Sequence, residues 1–162
     1  MKSVQEVFSA LGGDLEYPMF IATVGDGAEQ AGCLVGFATQ CSIDPPRFLA
    51  CISVKNRTYR VARGAEAMAV HVVPQEADDL VELFGGETGD DVDKFKRCDW
   101  HEGPQGLPII DRCGSWFAGR VLARFDLGDH HGFLLDPFAA EHAGPEHYSV
   151  QRAARVEPGH NA

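Results

Sequence analysis

Short apolar runs, separated by glycine, proline and polar breaks, dominate the chain, and their lengths favour strands over long helices. Met19 to Val24 reads as a strand, Gly25-Asp26-Gly27 as a tight turn, and Gln30 to Ala38 as the returning partner. Within that partner, Cys33 to Ala38 mixes glycine with branched and aromatic residues. Phe48 to Ile52 is continuously apolar and reads as a buried strand. Asp44-Pro45-Pro46 forces a turn between the two runs, because each proline fixes its φ and lacks an N–H, and the residue before a proline avoids helix. Ala67 to Val73 gives a further strand, closed by Pro74. Gly114 to Phe125 predicts a long one, with Phe117, Val121 and Phe125 on one face and Arg120 and Arg124 on the other. Gly128-Asp129-His130-His131-Gly132 then turns into a last strand, Phe133 to Phe138.

Helical periodicity is confined to short segments. Ser3 and Glu6 form a capping box ahead of Val4, Val7, Phe8 and Leu11, and Gly12-Gly13 ends that helix. Asn56 is a good N-cap for a helix stopped at Gly64. Glu76 to Phe84 places Leu80, Leu83 and Phe84 on one side. Residues 85–106 form a long polar insertion, anchored by Phe95 and Trp100, that reads as a lid or a partner-contacting loop. Six or seven strands with two or three short helices predict a β-barrel with peripheral helices. It is expected as a single domain over residues 1–150, followed by a polar, frayed tail over 151–162.

With 162 residues the chain can bury a sizeable core, and its 44% hydrophobic and 23% charged content is ordinary for a soluble globule. Charge narrows the function classes: at −10, with a pI near 5.0, a nucleic-acid backbone partner is excluded. No apolar run approaches the roughly 20 residues of a membrane helix, and Met-Lys-Ser-Val-Gln-Glu lacks a signal-peptide core, so the expected location is cytoplasmic. Five cysteines are scattered; Cys33, Cys41 and Cys51 read as buried small hydrophobes, and no disulfide framework is expected. Cys98, Cys113 and His101 do not match a known zinc spacing, so no metal is expected. The chain lacks Gly-x-Gly-x-x-Gly, Gly-x-x-x-x-Gly-Lys and Gly-x-Ser-x-Gly. Any redox cofactor must therefore be held without a Rossmann turn.

Ser42-Ile43-Asp44-Pro45-Pro46 between two apolar strands is followed in order by Asn56-Arg57-Thr58, Asp93-Lys94-Phe95 and Gly128-Asp129-His130. This succession resembles the flavin reductase-like, FMN-binding split-barrel family. The resemblance implies a mainly β fold: a Greek-key split barrel with peripheral short helices, paired as a homodimer with FMN in a groove at the interface. It further implies hydride transfer from NAD(P)H to the flavin, which then passes electrons onward or supplies a monooxygenase. Two other readings are an FMN-binding electron-transfer protein without NAD(P)H activity, and a barrel of the same fold that uses haem or a deazaflavin.

The resemblance also assigns residues. Backbone amides of Phe37, Ala38, Thr39, Gln40 and Cys41 would run past the isoalloxazine edge. Leu34, Gly36 and Phe37 stand where relatives commonly carry Thr and Ser, whereas Thr39 and Ser42 keep their hydroxyls. Asn56, Arg57 and Thr58 resemble the family's phosphate-binding turn; free N–H groups at a helix start, a guanidinium and a hydroxyl suit a dianion. The other reading of the same residues is a capped helix with a solvated arginine. His71 would donate to a flavin carbonyl or the ribityl chain, or else be a satisfied core histidine. Phe95 would stack beside the ring, or simply anchor its loop. His130 is expected near the reacting face of the flavin, as the catalytic residue, or as an exposed turn residue.

Overall fold

A computed structural model describes residues 1–25 and 28–159; Asp26 and Gly27 of the expected turn, and residues 160–162 of the expected tail, lie outside it. The described chain forms strands β1 (Phe20–Gly25), β2 (Gln30–Val35), β3 (Ala38–Ile43), β4 (Pro46–Ser53), β5 (Ala67–Val72), β6 (Trp100–Glu102), β7 (Pro108–Ile110), β8 (Trp116–Asp126) and β9 (His130–Glu141). Helices α1 (Val4–Gly13), α2 (Arg57–Ala62), α3 (Asp78–Gly86) and α4 (Val150–Ala153) surround them. Seven strands make one antiparallel sheet in the order β2-β1-β5-β8-β9-β4-β3, and β6-β7 is a separate hairpin.

The run expected as one strand from Gln30 to Ala38 is broken at Gly36-Phe37, and the two pieces are the opposite edges of the sheet. Six inter-strand spacings would separate those edges by roughly 29 Å if the sheet were flat. Three Cα steps from Val35 to Ala38 reach only about 11 Å. The sheet must curl until its edges meet. No described ladder joins β2 to β3, so closure leaves a seam, bridged on the β4 side where Cys51 N–H donates to the Phe37 carbonyl at 2.9 Å.

Alternate residues of each strand fill the barrel: Phe20, Ala22 and Val24 from β1, Ala50 and Ile52 from β4, Phe133 and Leu135 from β9. The outer face of β1 is covered as well. Ile21 packs under α3 with Leu80, Val81 and Phe84, and Thr23 Oγ1 donates to the Pro108 carbonyl of β7 at 2.6 Å. Much of the insertion expected over 85–106 as a lid or a partner-contacting loop is therefore packed cover, held by the expected anchors Phe95 and Trp100. Trp100 Nε1 donates to the Phe95 carbonyl at 3.0 Å, and the Phe95 ring meets Phe84 and Trp100 edge-on.

Four further sequence expectations change. On β8 the pairing steps from Val121↔Leu135 to Ala123↔Leu134, so a bulge at Leu122 restarts the alternation. Arg124 now shares the face of Val121, opposite buried Phe133, while Phe125 is exposed. Cys41 lies exposed on β3, and Cys51 is half-buried. Residues 149–159 are no frayed tail: Ala153 and Val156 pack into the cluster around Phe84, Arg152 donates to the Gln75 carbonyl, and Gly159 N–H donates to the Gly85 carbonyl at 3.1 Å. Finally, α1 has its capping box, yet Val4, Val7, Phe8 and Leu11 all face solvent.

Two buried polar side chains tie the layers together. Lys94 Nζ donates to the carbonyls of Gly32 on β2, at 3.1 Å, and Phe84 in the last turn of α3, at 3.0 Å. An ammonium there satisfies a carbonyl that the helix leaves open and offsets the negative end of its dipole. Burial lowers its pKa, against the opposing pull of Cys33 and Glu87. His71, fully buried on β5, donates from Nδ1 to the Ile21 carbonyl at 3.0 Å and accepts at Nε2 from Ile110 N–H at 3.2 Å. It is a core histidine with both nitrogens used, which corrects the expectation that it would meet a ligand.

Burial pulls His71 from 6.5 to about 4, although the Ile21 carbonyl opposes the shift. The unfolded chain binds this proton near pH 6.5 and the folded chain only near 4, so the contribution is full above 6.5 and falls as pH drops through that window. The difference amounts to roughly 3 kcal/mol. His71→Gln keeps a donor and an acceptor but does not titrate. Denaturant unfolding of both proteins at about pH 7 and about pH 4.5 should show the wild type losing more stability than the variant; equal losses would refute the assignment.

Candidate functional site

The seam opens into a groove of about 340 Å³. One wall comes from the β2 end and the break after it, Cys33 to Phe37, with Cys51 and Ser53 of β4. The facing wall is the C-terminal end of α3, Phe84 and Gly85, together with Val150, Ala153 and Val156. A Cβ on Gly85 would stand 2.7 Å from Leu34 Cδ2, so any larger residue would have to push the Leu34 side chain aside where α3 ends against β2. The walls are apolar, and polar groups converge from Ser53, Asn56 and His130. An apolar cleft with a few placed polar groups is the usual form of a small-molecule site.

His130 begins β9, opposite Ser53 of β4, after the turn that Gly128 makes at φ +123°. Its ring meets the Phe37 ring edge-on at 5.0 Å. Its Nδ1 lies 2.7 Å from the Asp129 carboxylate, and this contact holds the Asp129 carboxyl below the usual range. Asn56 caps α2, its side chain accepting from Thr58 N–H at 2.9 Å. Thus Phe37, Asn56 and His130, far apart in sequence, line one groove.

The other expected residues fall elsewhere. Ala38 packs against the barrel core, while Thr39, Gln40 and Cys41 lie on β3 with exposed side chains outside the groove lining. Thr39 and Gln40 spend hydrogen bonds on the local carbonyls of Gln40 and Ser42. Phe95 is held in the core by edge contacts with Phe84 and Trp100, which makes it an anchor of its loop, and it lines a second cavity and not the groove. Arg57 and buried Thr58 line that second cavity, of about 370 Å³, walled by Glu29, Asp90, Asp91 and Asp93. Arg57 Nη1 donates to the Gln30 carbonyl at 2.7 Å, and Nη2 lies 3.4 Å from Glu29. Even with Lys94 in the same lining and Asp90 paired to Arg60, a phosphate there would face more carboxylates than cations, so the contacts of Arg57 and Thr58 speak against the expected phosphate role.

Groove residues that the sequence reading passed over are Cys51, Ser53, Gly85 and the segment from Val150 to Val156. The spacing of Val150, Ala153 and Val156 marked a helical apolar face inside a polar tail. Burial pushes the Cys33 thiol, which lines the groove floor, up to about 11 despite the Lys94 charge. No group of three or more His, Cys, Asp or Glu side chains among the described residues is arranged to hold a metal, and no described helix is long and apolar enough to cross a membrane.

A family model described as a flavin reductase like domain matches residues 12–152. Among curated proteins, the chain is 29% identical over 133 residues to the stachydrine N-demethylase reductase subunit Stc3 of Rhizobium meliloti (strain 1021), covering 80% of this chain and 54% of that protein. It is 31% identical over 114 residues to the flavin-dependent monooxygenase reductase subunit HsaB of Rhodococcus jostii (strain RHA1), covering 68% and 54%. The chain thus spans about half the length of these curated relatives. Among solved structures, the Streptomyces globisporus C-1027 NADH:FAD oxidoreductase SgcE6 shares the fold with a TM-score of 0.77 at 24% identity, over 85% of this chain and 82% of that one.

If Arg57 is a structural tie, Arg57→Ala should orphan the Gln30 carbonyl and cost about 1 kcal/mol. That is a fall of about 2–4 °C in melting temperature for a chain of this size. Thermal unfolding measures it; an unchanged midpoint would return Arg57 to the solvated arginine of the alternative reading.

Proposed function

We propose a function from one premise: the chain belongs to the flavin reductase like domain family. The seam groove binds a flavin, and the protein promotes hydride transfer to it from NAD(P)H. The observation that carries this reading is the groove's composition. Apolar walls from Leu34, Val35 and Phe84 suit a flat ring system, and Ser53, Asn56 and His130 suit its polar edge and hydroxylated chain. A bound flavin would supply the two-electron chemistry, taking hydride from a nicotinamide and passing electrons on.

This chain's own residues bind, orient and exclude water. Leu34, Val35, Phe84 and Val150 remove solvent from the walls. Asp129 occupies His130 Nδ1, so Nε2 is the nitrogen left for a groove occupant, and Phe37 fixes the plane of the ring. His130 orients the nicotinamide or offsets charge that develops during transfer. The relatives named as reductase subunits of a demethylase and of a monooxygenase support a separate oxygenase as the consumer of the electrons.

A homodimer belongs to the same proposal. β3 is an edge strand that carries exposed Ile43; Phe125 and Leu127 are exposed at the β8–β9 turn, and α1 shows solvent an uncovered apolar face. Light scattering at micromolar concentration should report two chains per particle; a monomer that still binds flavin would refute the pairing.

The activity is tested by NAD(P)H oxidation with added flavin, followed at the flavin's visible absorbance. Wild-type protein should turn over. At matched flavin occupancy, His130→Ala should slow reduction by about a hundredfold and leave the melting temperature in place. A rate within about twofold of wild type would reduce His130 to a turn residue.

A further inference from the structure

The groove that would take the flavin ring offers nothing to a phosphate. Among the described residues no lysine or arginine lines it; apart from the thiols of Cys33 and Cys51, its titratable members are Glu87 and His130. The cations around it are committed elsewhere. Arg57 is fixed on the Gln30 carbonyl and Glu29, inside a cavity with three aspartates. Lys94 is spent on the carbonyls of Gly32 and Phe84. Arg97 donates to Glu87 at 2.6 Å, and Arg152 holds the Gln75 carbonyl at 2.9 Å together with Asp78. Lys55 is exposed and outside the lining. The whole chain carries −10, which opposes a dianion further.

We propose that this groove recognises a flavin by its ring and ribityl chain and does not read the 5′-phosphate, so that riboflavin and FMN bind alike. The inference rests on the flavin reading above and sharpens its ligand class. The polar set present consists of Ser53, Asn56 and His130, groups that pair with carbonyls, imide and hydroxyls. A phosphate attached to the chain would stay in water at the mouth and keep its hydration. A built phosphate site would instead supply a charge-assisted contact, worth roughly tenfold to a hundredfold in affinity, and its strength would fall as salt screens it.

The test titrates riboflavin and FMN into the full chain by flavin fluorescence at about 50 mM and about 500 mM salt. Dissociation constants within about threefold of each other at both salts are expected. FMN tighter by tenfold or more, with the gap closing at high salt, would overturn the proposal and reveal a cation brought to the phosphate by this chain or by a second copy. Arg57→Ala adds a second readout: the riboflavin-to-FMN ratio should stay where it is, and a selective loss of FMN would also overturn the proposal. If neither flavin binds, the functional reading fails, and this inference fails with it. That result is distinct from the preference for FMN that overturns the inference alone.

Discussion

The two-residue link Gly36-Phe37 is the constraint on which the rest of the molecule depends. It joins the first and last strands of a seven-stranded sheet, and a chain that short cannot cross a flat sheet. Curling follows, and with it an enclosed core from alternate positions of every large strand. The closure is incomplete, because β2 and β3 meet without a described ladder. The groove lies beside that seam, and Phe37 of the link is part of its lining.

Around the seam, buried polar groups are paired in ways that fix layers to one another. Lys94 spans from β2 to the end of α3, and His71 spans from β1 to β7 through β5. Both pKa values move in the direction burial dictates, since no carboxylate contacts either group. Beside the internal ammonium on its carbonyls lies an acidic cavity, lined by Glu29, Asp90, Asp91 and Asp93 together with Arg57 and Lys94. The groove between them is left apolar and nearly neutral.

Much of this was legible in the sequence where a single local cause decides the structure. Ser3, Asn56 and the Asp44-Pro45-Pro46 corner act on their own neighbours, and each stands where local chemistry places it. The resemblance implied the barrel, and three residues it singled out, Phe37, Asn56 and His130, line one groove. What escaped depends on distant partners. The break at Gly36-Phe37 hides inside a small and apolar run, because pairing with two different neighbours ends one strand and starts the next. Leu122 looks like any strand residue until β9 skips it. Arg57 reads as a phosphate ligand until Gln30, from another strand, takes its guanidinium. His71 and Phe95 carry ligand-like chemistry, but tertiary cover uses it up.

Residues 149–159 have a further consequence. The segment leaves the body of the protein just after Tyr148, whose ring is fully buried and whose backbone pairs with Val73 and Met19. Beyond that anchor it is tied to the body by backbone bonds from Val150 to Tyr17 and from Gly159 to Gly85, by Gln151 on the Gly13 and Leu15 carbonyls, by Arg152 on the Gln75 carbonyl and Asp78, and by the packing of Val150, Ala153 and Val156. Because it forms one wall of the groove, a truncation before Val150 would strip that wall while leaving every strand of the barrel in place.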